Sequence, residues 1–196
     1  MALLEVHDLE ISLAKSGSLS PLVQGISFAI EEKETLGFVG ESGCGKSLTS
    51  LAVMGLLEGT QLRMTRGSIK FNNCELTTFL PKERRAIMGN QMAMIFQEPM
   101  TLNPVYQIGD QIVENLRQHK QLSKAQARDR AVELLDLVRI PEPNRRIYSY
   151  PHQMSGGQRQ RAMIAMALSC EPKLLIADET TTALDVTIQA EILDLI

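Results

Sequence analysis

Gly40-Glu41-Ser42-Gly43-Cys44-Gly45-Lys46-Ser47 matches the pattern G-x-x-x-x-G-K-[ST] without a gap. An apolar run of strand length, Thr35 to Val39, precedes it. Leu48, Leu51, Ala52 and Gly55 follow on one face of a helix expected to continue to about Leu57. Glycines at 40, 43 and 45 permit turn conformations that a side chain would obstruct, so successive backbone N–H groups point inward at phosphate oxygens. The helix adds its N-terminal amides and the positive end of its dipole. Lys46 then reaches the β- and γ-phosphates and the Ser47 hydroxyl holds Mg2+. The stretch reads as a triphosphate cradle.

Working outward, 196 residues leave room for one large domain or a core with a smaller appendage, and an apolar fraction of 44% is that of a chain with a real core. The net charge of −3 gives no electrostatic case for nucleic acid as a partner. Lys82, Arg84, Arg85 and the pair Arg145-Arg146 are local exceptions, expected to be solvated faces. Cys44, Cys74 and Cys170 are scattered, without metal or disulfide spacing, which fits a reducing cytosol. Met1 to Val6 shows no basic region leading into an apolar core, and the longest apolar run, Ala162 to Leu168, is too short to span a bilayer. Direct membrane insertion is therefore not expected.

Leu4 to Leu13 alternates loosely and Ile26, Phe28 and Ile30 alternate cleanly, with an expected loop from Lys15 to Pro21 between them. Ile69 and Phe71 mark another strand, closed by an Asn72-Asn73 turn. These read as antiparallel strands beside the nucleotide core. Met92 to Phe96 is a continuous apolar run that delivers Gln97 at its C-terminal end, where open α/β sheets place ligands. Residues 108–138 are helical by period: Ile108, Ile112 and Leu116 form one stripe, and Ala127, Ala131, Leu134, Leu135 and Val138 a second. Ser123 and Gln126 have capping-box spacing, and Pro141 and Pro143 end the helix.

Met154-Ser155-Gly156-Gly157-Gln158 opens a further helix, expected to reach about Cys170. Ser155 and Gln158 are again at capping-box spacing, and the glycines between them leave the first-turn amides unobstructed. One nucleotide held by Lys46 has no need of a second anion site in the same chain, so this helix end suits a nucleotide bound on another molecule. Lys173 to Asp178 is an apolar strand that ends in Asp178 and Glu179, an arrangement for holding Mg2+ and addressing water.

In order, Gly40 to Ser47, Gln97, Ser155 to Gln158, Asp178-Glu179 and Ala183-Leu184-Asp185 resemble the ATP-binding subunits of ABC transporters. MIFQEPMT, YPHQMSGGQRQR, IAMALSC and LLIADE look most like the ATPases of oligopeptide, dipeptide and glutathione importers, with nickel importers a close second. The resemblance implies an α/β fold: a P-loop NTPase (RecA-like) core with an antiparallel β subdomain and a helical subdomain. It implies a single incomplete ABC ATPase domain over 1–196, with the β part at 1–35 and 65–75. The nucleotide-binding core falls at 36–64, 90–97 and 170–196, and the mainly helical signature part at 98–169. The last core strands and the family's switch histidine are expected beyond Ile196, leaving a strand edge exposed.

Residue roles follow from the same resemblance. Gly40, Glu41, Ser42, Gly43, Cys44, Gly45, Lys46, Ser47 and Leu48 bind ATP; Ser47, Gln97 and Asp178 serve Mg2+, Asp178 through water; Glu179 is the general base, assisted by Lys46 and Gln97. Ser155, Gly156, Gly157 and Gln158 contact the nucleotide of an opposing subunit, with Asp185 linking the two sites. The implied partners are a second ATPase subunit, identical or sibling, and transmembrane permease subunits at the cytoplasmic face of the inner membrane. Departures from the family pattern are Thr180 in place of proline, Met154 in place of leucine, a Met100–Pro104 loop one residue short, and Leu13 where an aromatic residue stacks on adenine. A chain that binds ATP and dimerises but hydrolyses poorly is the alternative. An ABC-type ATPase acting on DNA or the ribosome would want a coiled-coil insert or a basic surface, and the sequence has neither.

Overall fold

Alternation in the first thirty residues builds two long antiparallel strands, β1 (Ala2–Lys15) and β2 (Ser18–Glu31), in a computed structural model that describes residues 2–15, 18–96, 102–178 and 189–190. The described residues fall into two compact units, Met1–Ala86 and Ile87–Ile196.

In the first unit β1 is central, flanked by β2 on one side and by β3 (Leu62–Phe71) on the other, with β4 (Cys74–Glu75) beyond. Leu4 faces Phe71 and Val6 faces Ile69 across the β1–β3 ladder, and all four are buried. Each such apolar side chain removed from water contributes roughly 1.5–3 kcal/mol. Asn72 and Asn73 both adopt positive φ, 47° and 61°, as the two-residue turn between β3 and β4 requires. The expected loop from Lys15 to Pro21 is shorter than its composition suggests. Residues 18–21 are strand, with Ser12 opposite Pro21, and β2 is the sheet's edge, where a proline breaks no ladder.

Helix α1 (Lys46–Val53) follows the phosphate-loop motif but stops short of Leu57. Gly55 takes φ 67°, its N–H donates to Ala52 O (2.9 Å), and Leu56 N–H donates to Leu51 O (2.8 Å), a glycine-terminated helix end. The expected strand at 35–39 is not formed. Residues 34–41 carry no ladder, and Val39 is 99% exposed, although Phe38 meets Phe28 edge to face at 5.0 Å. Apolarity marks a segment as suited to burial, but a strand also needs a partner edge, and the unit's four strands are already paired with one another.

A short helix, α2 (Pro81–Ile87), has no apolar stripe to announce it. Its Arg84 is not a solvated side chain: Nη1 donates to Gly55 O (3.1 Å) and Nη2 to Leu76 O (2.8 Å), with the side chain 18% exposed.

In the second unit, β5 (Met92–Ile95) and β6 (Leu174–Ala177) pair in parallel, Met92 opposite Leu174 through Ile95 opposite Ala177. Parallel neighbours need a crossover, and the chain between them supplies α3 (Ile108–His119), α4 (Lys124–Leu137), α5 (Pro143–Arg146) and α6 (Gly156–Leu168). Both apolar stripes read from the sequence are buried, Ile112, Leu116, Leu134 and Leu135 among them, in one core with Ile95 and Ile164. Ser123 and Gln126 form the expected reciprocal cap of α4. The prolines after it do more than stop a helix: Pro143 sits at the first position of α5, where its missing N–H costs nothing.

Candidate functional site

Strand β2 sets the wall against which the phosphate loop is built. Gly45 caps α1 at φ 100°, and a Cβ there would lie 2.8 Å from Cγ2 of the buried Val23, so only glycine fits both the turn and the wall. Gly43 has φ 84°. Cys44 N–H donates to Glu41 O (3.3 Å), closing the loop's own turn. Thr49 fastens the loop to the helix: its N–H and its Oγ1 both donate to Gly45 O, at 2.9 and 3.0 Å.

That bond is the first of the helix, which leaves Lys46, Ser47 and Leu48 in the turn whose amides point out of the N-terminus. No acidic side chain stands in that turn to neutralise it. Lys46 folds back over the loop, Nζ donating to Gly40 O (2.7 Å) and Glu41 O (2.8 Å), with Cys44 Sγ at 3.6 Å. An ammonium, a positive helix end and a turn of glycines are gathered within eight residues. That donor set fits a polyphosphate. Sequence reasoning did not find Val23 or Thr49. The contact of Val23 with Gly45 joins residues far apart in the chain, whereas a hydroxyl four residues after the last glycine is a local signal.

In the second unit Ser155 is the N-cap of α6, with Gln158 N–H donating to Ser155 Oγ (3.3 Å) and Ser155 N–H to Gln158 Oε1 (3.1 Å). Arg159 Nη1 donates to Met154 O (2.8 Å), and Met154 is buried, so the segment entering the helix is anchored. A Cβ on Gly156 would meet nothing within 4 Å, which leaves the first turn open. The helix ends at Leu168 rather than Cys170.

Asp178 follows β6, and its N–H donates to Ile95 O (3.0 Å), extending the parallel ladder by one step. It therefore stands at the C-terminal ends of β5 and β6, where α/β sheets carry ligands. Gln97, Glu179 and Asp185 lie outside the described residues. The phosphate loop belongs to the first unit, and Asp178 and the Ser155–Gln158 turn to the second. Among the described residues no three His, Cys, Asp or Glu side chains cluster as metal ligands. Mg2+ at a phosphate needs only one or two protein groups, and within the first unit the Ser47 hydroxyl is of the right chemistry. Among the described residues no helix is long and apolar enough to cross a membrane.

The chain matches the family model described as ABC transporter over residues 23–182. It is 52% identical over 193 residues to the dipeptide transport ATP-binding protein DppD of Bacillus subtilis (strain 168), covering 98% of this chain and 58% of that protein. It is 53% identical over 194 residues to the oligopeptide transport ATP-binding protein AppD of the same organism, covering 98% and 59%. The chain thus spans about three-fifths of the length of these relatives. Among solved structures, the dimeric post-hydrolysis state of the ATP-binding cassette MJ0796 bound to ADP and Pi superposes with a TM-score of 0.87 at 27% identity, over 98% of this chain and 80% of that one. The matched region takes in the phosphate loop, the Ser155 turn and Asp178, and the chain belongs to the ABC transporter family.

Proposed function

We propose that the chain binds and hydrolyses ATP to power import of peptides or a similar small solute through an ABC transporter. The observation that carries the reading is the phosphate loop, with Lys46 folded over it at the N-terminus of α1. The names of the relatives, dipeptide and oligopeptide transport ATP-binding proteins, supply the solute class.

In this reading Gly40 through Leu48 hold the triphosphate, with Lys46 exchanging its loop carbonyls for β- and γ-phosphate oxygens. Mg2+ would be held by Ser47 and Gln97, with Asp178 acting through water, and it would neutralise charge developing on the phosphates. Glu179 accepts a proton from the attacking water, which requires hydrogen-bond reach to that water. The turn at Ser155, Gly156, Gly157 and Gln158 closes over the nucleotide of a second ATPase subunit, identical or sibling, and Asp185 links the two sites. Transmembrane permease subunits are the other partners, which places the chain at the cytoplasmic face of the inner membrane. The domain bounds set out from the sequence belong to this proposal.

Phosphate release by the purified chain tests it. Hydrolysis abolished by Glu179→Gln with ATP binding retained supports the proposal. Binding with turnover indistinguishable from that variant favours an ATP-binding, dimerising module, and absence of any ATP binding overturns both.

A further inference from the structure

A second concavity in the Met1–Ala86 unit lies away from the phosphate loop and measures about 510 Å3. That volume is within the roughly 300–1,000 Å3 range of small-molecule sites, and the concavity is an open cleft rather than an enclosed cavity. Ala52, Leu57, Ile69 and Leu76 supply apolar wall. The charged lining is one-sided, three arginines (Arg63, Arg66 and Arg84) against the single carboxylate of Glu58, in a chain whose net charge is −3.

The arginines differ in how they are satisfied. Arg66 is neutralised by Asp8 at 2.6 Å and Glu10 at 3.5 Å. Arg84 is fixed by two backbone carbonyls, and its only ion pair among the described residues is a 3.5 Å contact with Glu58, whose side chain is 71% exposed. Arg63 spends Nη1 alone on its two hydrogen bonds, to Thr60 O (2.6 Å) and Leu62 O (2.7 Å). Carbonyls orient a guanidinium without cancelling its charge, and a screened, exposed carboxylate cancels little. The cleft therefore joins an apolar wall to two oriented and poorly neutralised cations.

We propose that this cleft binds a small organic anion, an acidic head met by Arg63 and Arg84 on an apolar body seated against Ala52, Leu57 and Leu76. Planar guanidinium forks suit a carboxylate, sulfonate or phosphate head. Ala52 lies on the helix that begins with Lys46, so an occupant bears on the element that carries the phosphate loop. The site does not depend on the proposed ATPase function.

The probe is 8-anilinonaphthalene-1-sulfonate, titrated into the purified chain without nucleotide and followed by fluorescence. One saturable site per chain is expected, displaced by octanoate and not by octylammonium. Arg63→Glu weakens the dye at least about tenfold, the effect of turning one charged hydrogen bond into repulsion. Thr65→Trp, which puts bulk into the lining, weakens it as well. Both positions are exposed on β3, so circular dichroism and melting are expected to match the parent, and Arg63→Gln gives the same reading with a smaller charge change. Non-saturable dye binding, equal displacement by octylammonium, or titrations unchanged in Arg63→Glu, Arg63→Gln and Thr65→Trp would overturn the proposal.

Discussion

Lys46 donates a 2.7 Å hydrogen bond from Nζ to the carbonyl oxygen of Gly40, six residues back in the same loop. The ammonium thus lies over the loop, held by acceptors weaker than a phosphate, and exchange for a phosphate strengthens each bond. Lys46→Ala is expected to lower ATP affinity by about 10- to 100-fold, the worth of one or two charge-assisted hydrogen bonds. The melting temperature should move by only a few degrees. Titration with a fluorescent nucleotide and a thermal melt measure both, and unchanged affinity would remove Lys46 from the site.

Cys44 reports on the same loop. Its thiol is exposed, with Sγ 3.6 Å from Lys46 Nζ, whereas Cys74 is exposed on strand β4 and Cys170 is buried. Mg-ATP is expected to slow alkylation of Cys44 by N-ethylmaleimide several-fold and leave Cys74 unaffected, read by peptide mass mapping. Equal labelling of Cys44 with and without nucleotide would count against the cradle.

What could be read beforehand divides by the range of the interaction. The loop at Gly40–Ser47, the caps at Ser123 and Ser155 and the stripes of α3 and α4 are set by residues three, four or seven apart, so spacing alone locates them. Thr35–Val39 misleads because its pattern states an appetite for burial and says nothing of the strand that must lie beside it. Arg84 misleads for a related reason. A basic residue in a polar segment reads as solvated, and the pattern does not show that the Gly55 and Leu76 carbonyls will meet it. Val23 was invisible as part of the site because nothing in a β-strand announces which loop will rest on it.

That long-range contact makes a quantitative test. At Gly45 a methyl group meets both a φ of 100° and Val23 Cγ2 at 2.8 Å, whereas at Gly43 it meets a φ of 84° and open space. Gly43→Ala is expected to cost about 1–2 kcal/mol from backbone strain alone. Gly45→Ala should cost about 2–4 kcal/mol, because overpacking adds to the strain. Chemical denaturation of Gly45→Ala, Val23→Ala and the double variant should show a favourable coupling above about 0.5 kcal/mol. Additivity would mean that Val23 does not set the wall.

At the second helix end, folding and function separate. Ser155→Ala removes one half of a reciprocal cap and is expected to cost about 1 kcal/mol of stability. Gly156→Ala adds a methyl to open space at a helical position and should be neutral or stabilising by up to about 1 kcal/mol. Under the proposed function it nevertheless intrudes on the turn offered to the partner's nucleotide, so phosphate release should fall while the melt holds. Full turnover in a stably folded Gly156→Ala chain would argue against that turn as a phosphate contact.

The pH dependence of stability has one source that can be isolated. Burial pushes the Glu75 carboxyl up, but the Thr77 hydroxyl at 2.6 Å and the amides of Ile69 and Thr77 at 3.1 and 3.3 Å, with the nearby Lys70 charge, outweigh it and hold the pKa below the usual 4.5. A carboxylate whose folded pKa is depressed contributes stability above its unfolded value, lost as pH falls through the folded one. Glu75→Gln is therefore expected to cost about 1 kcal/mol at pH 7, where the charged acceptor is lost. The cost should shrink steadily below pH 4.5. Urea midpoints of the two chains at pH 7, 5 and 3 measure the gap. A gap constant with pH would mean that the hydrogen bonds to Glu75 Oε1 do not depend on its charge, leaving only the shape of the β4 corner to explain them.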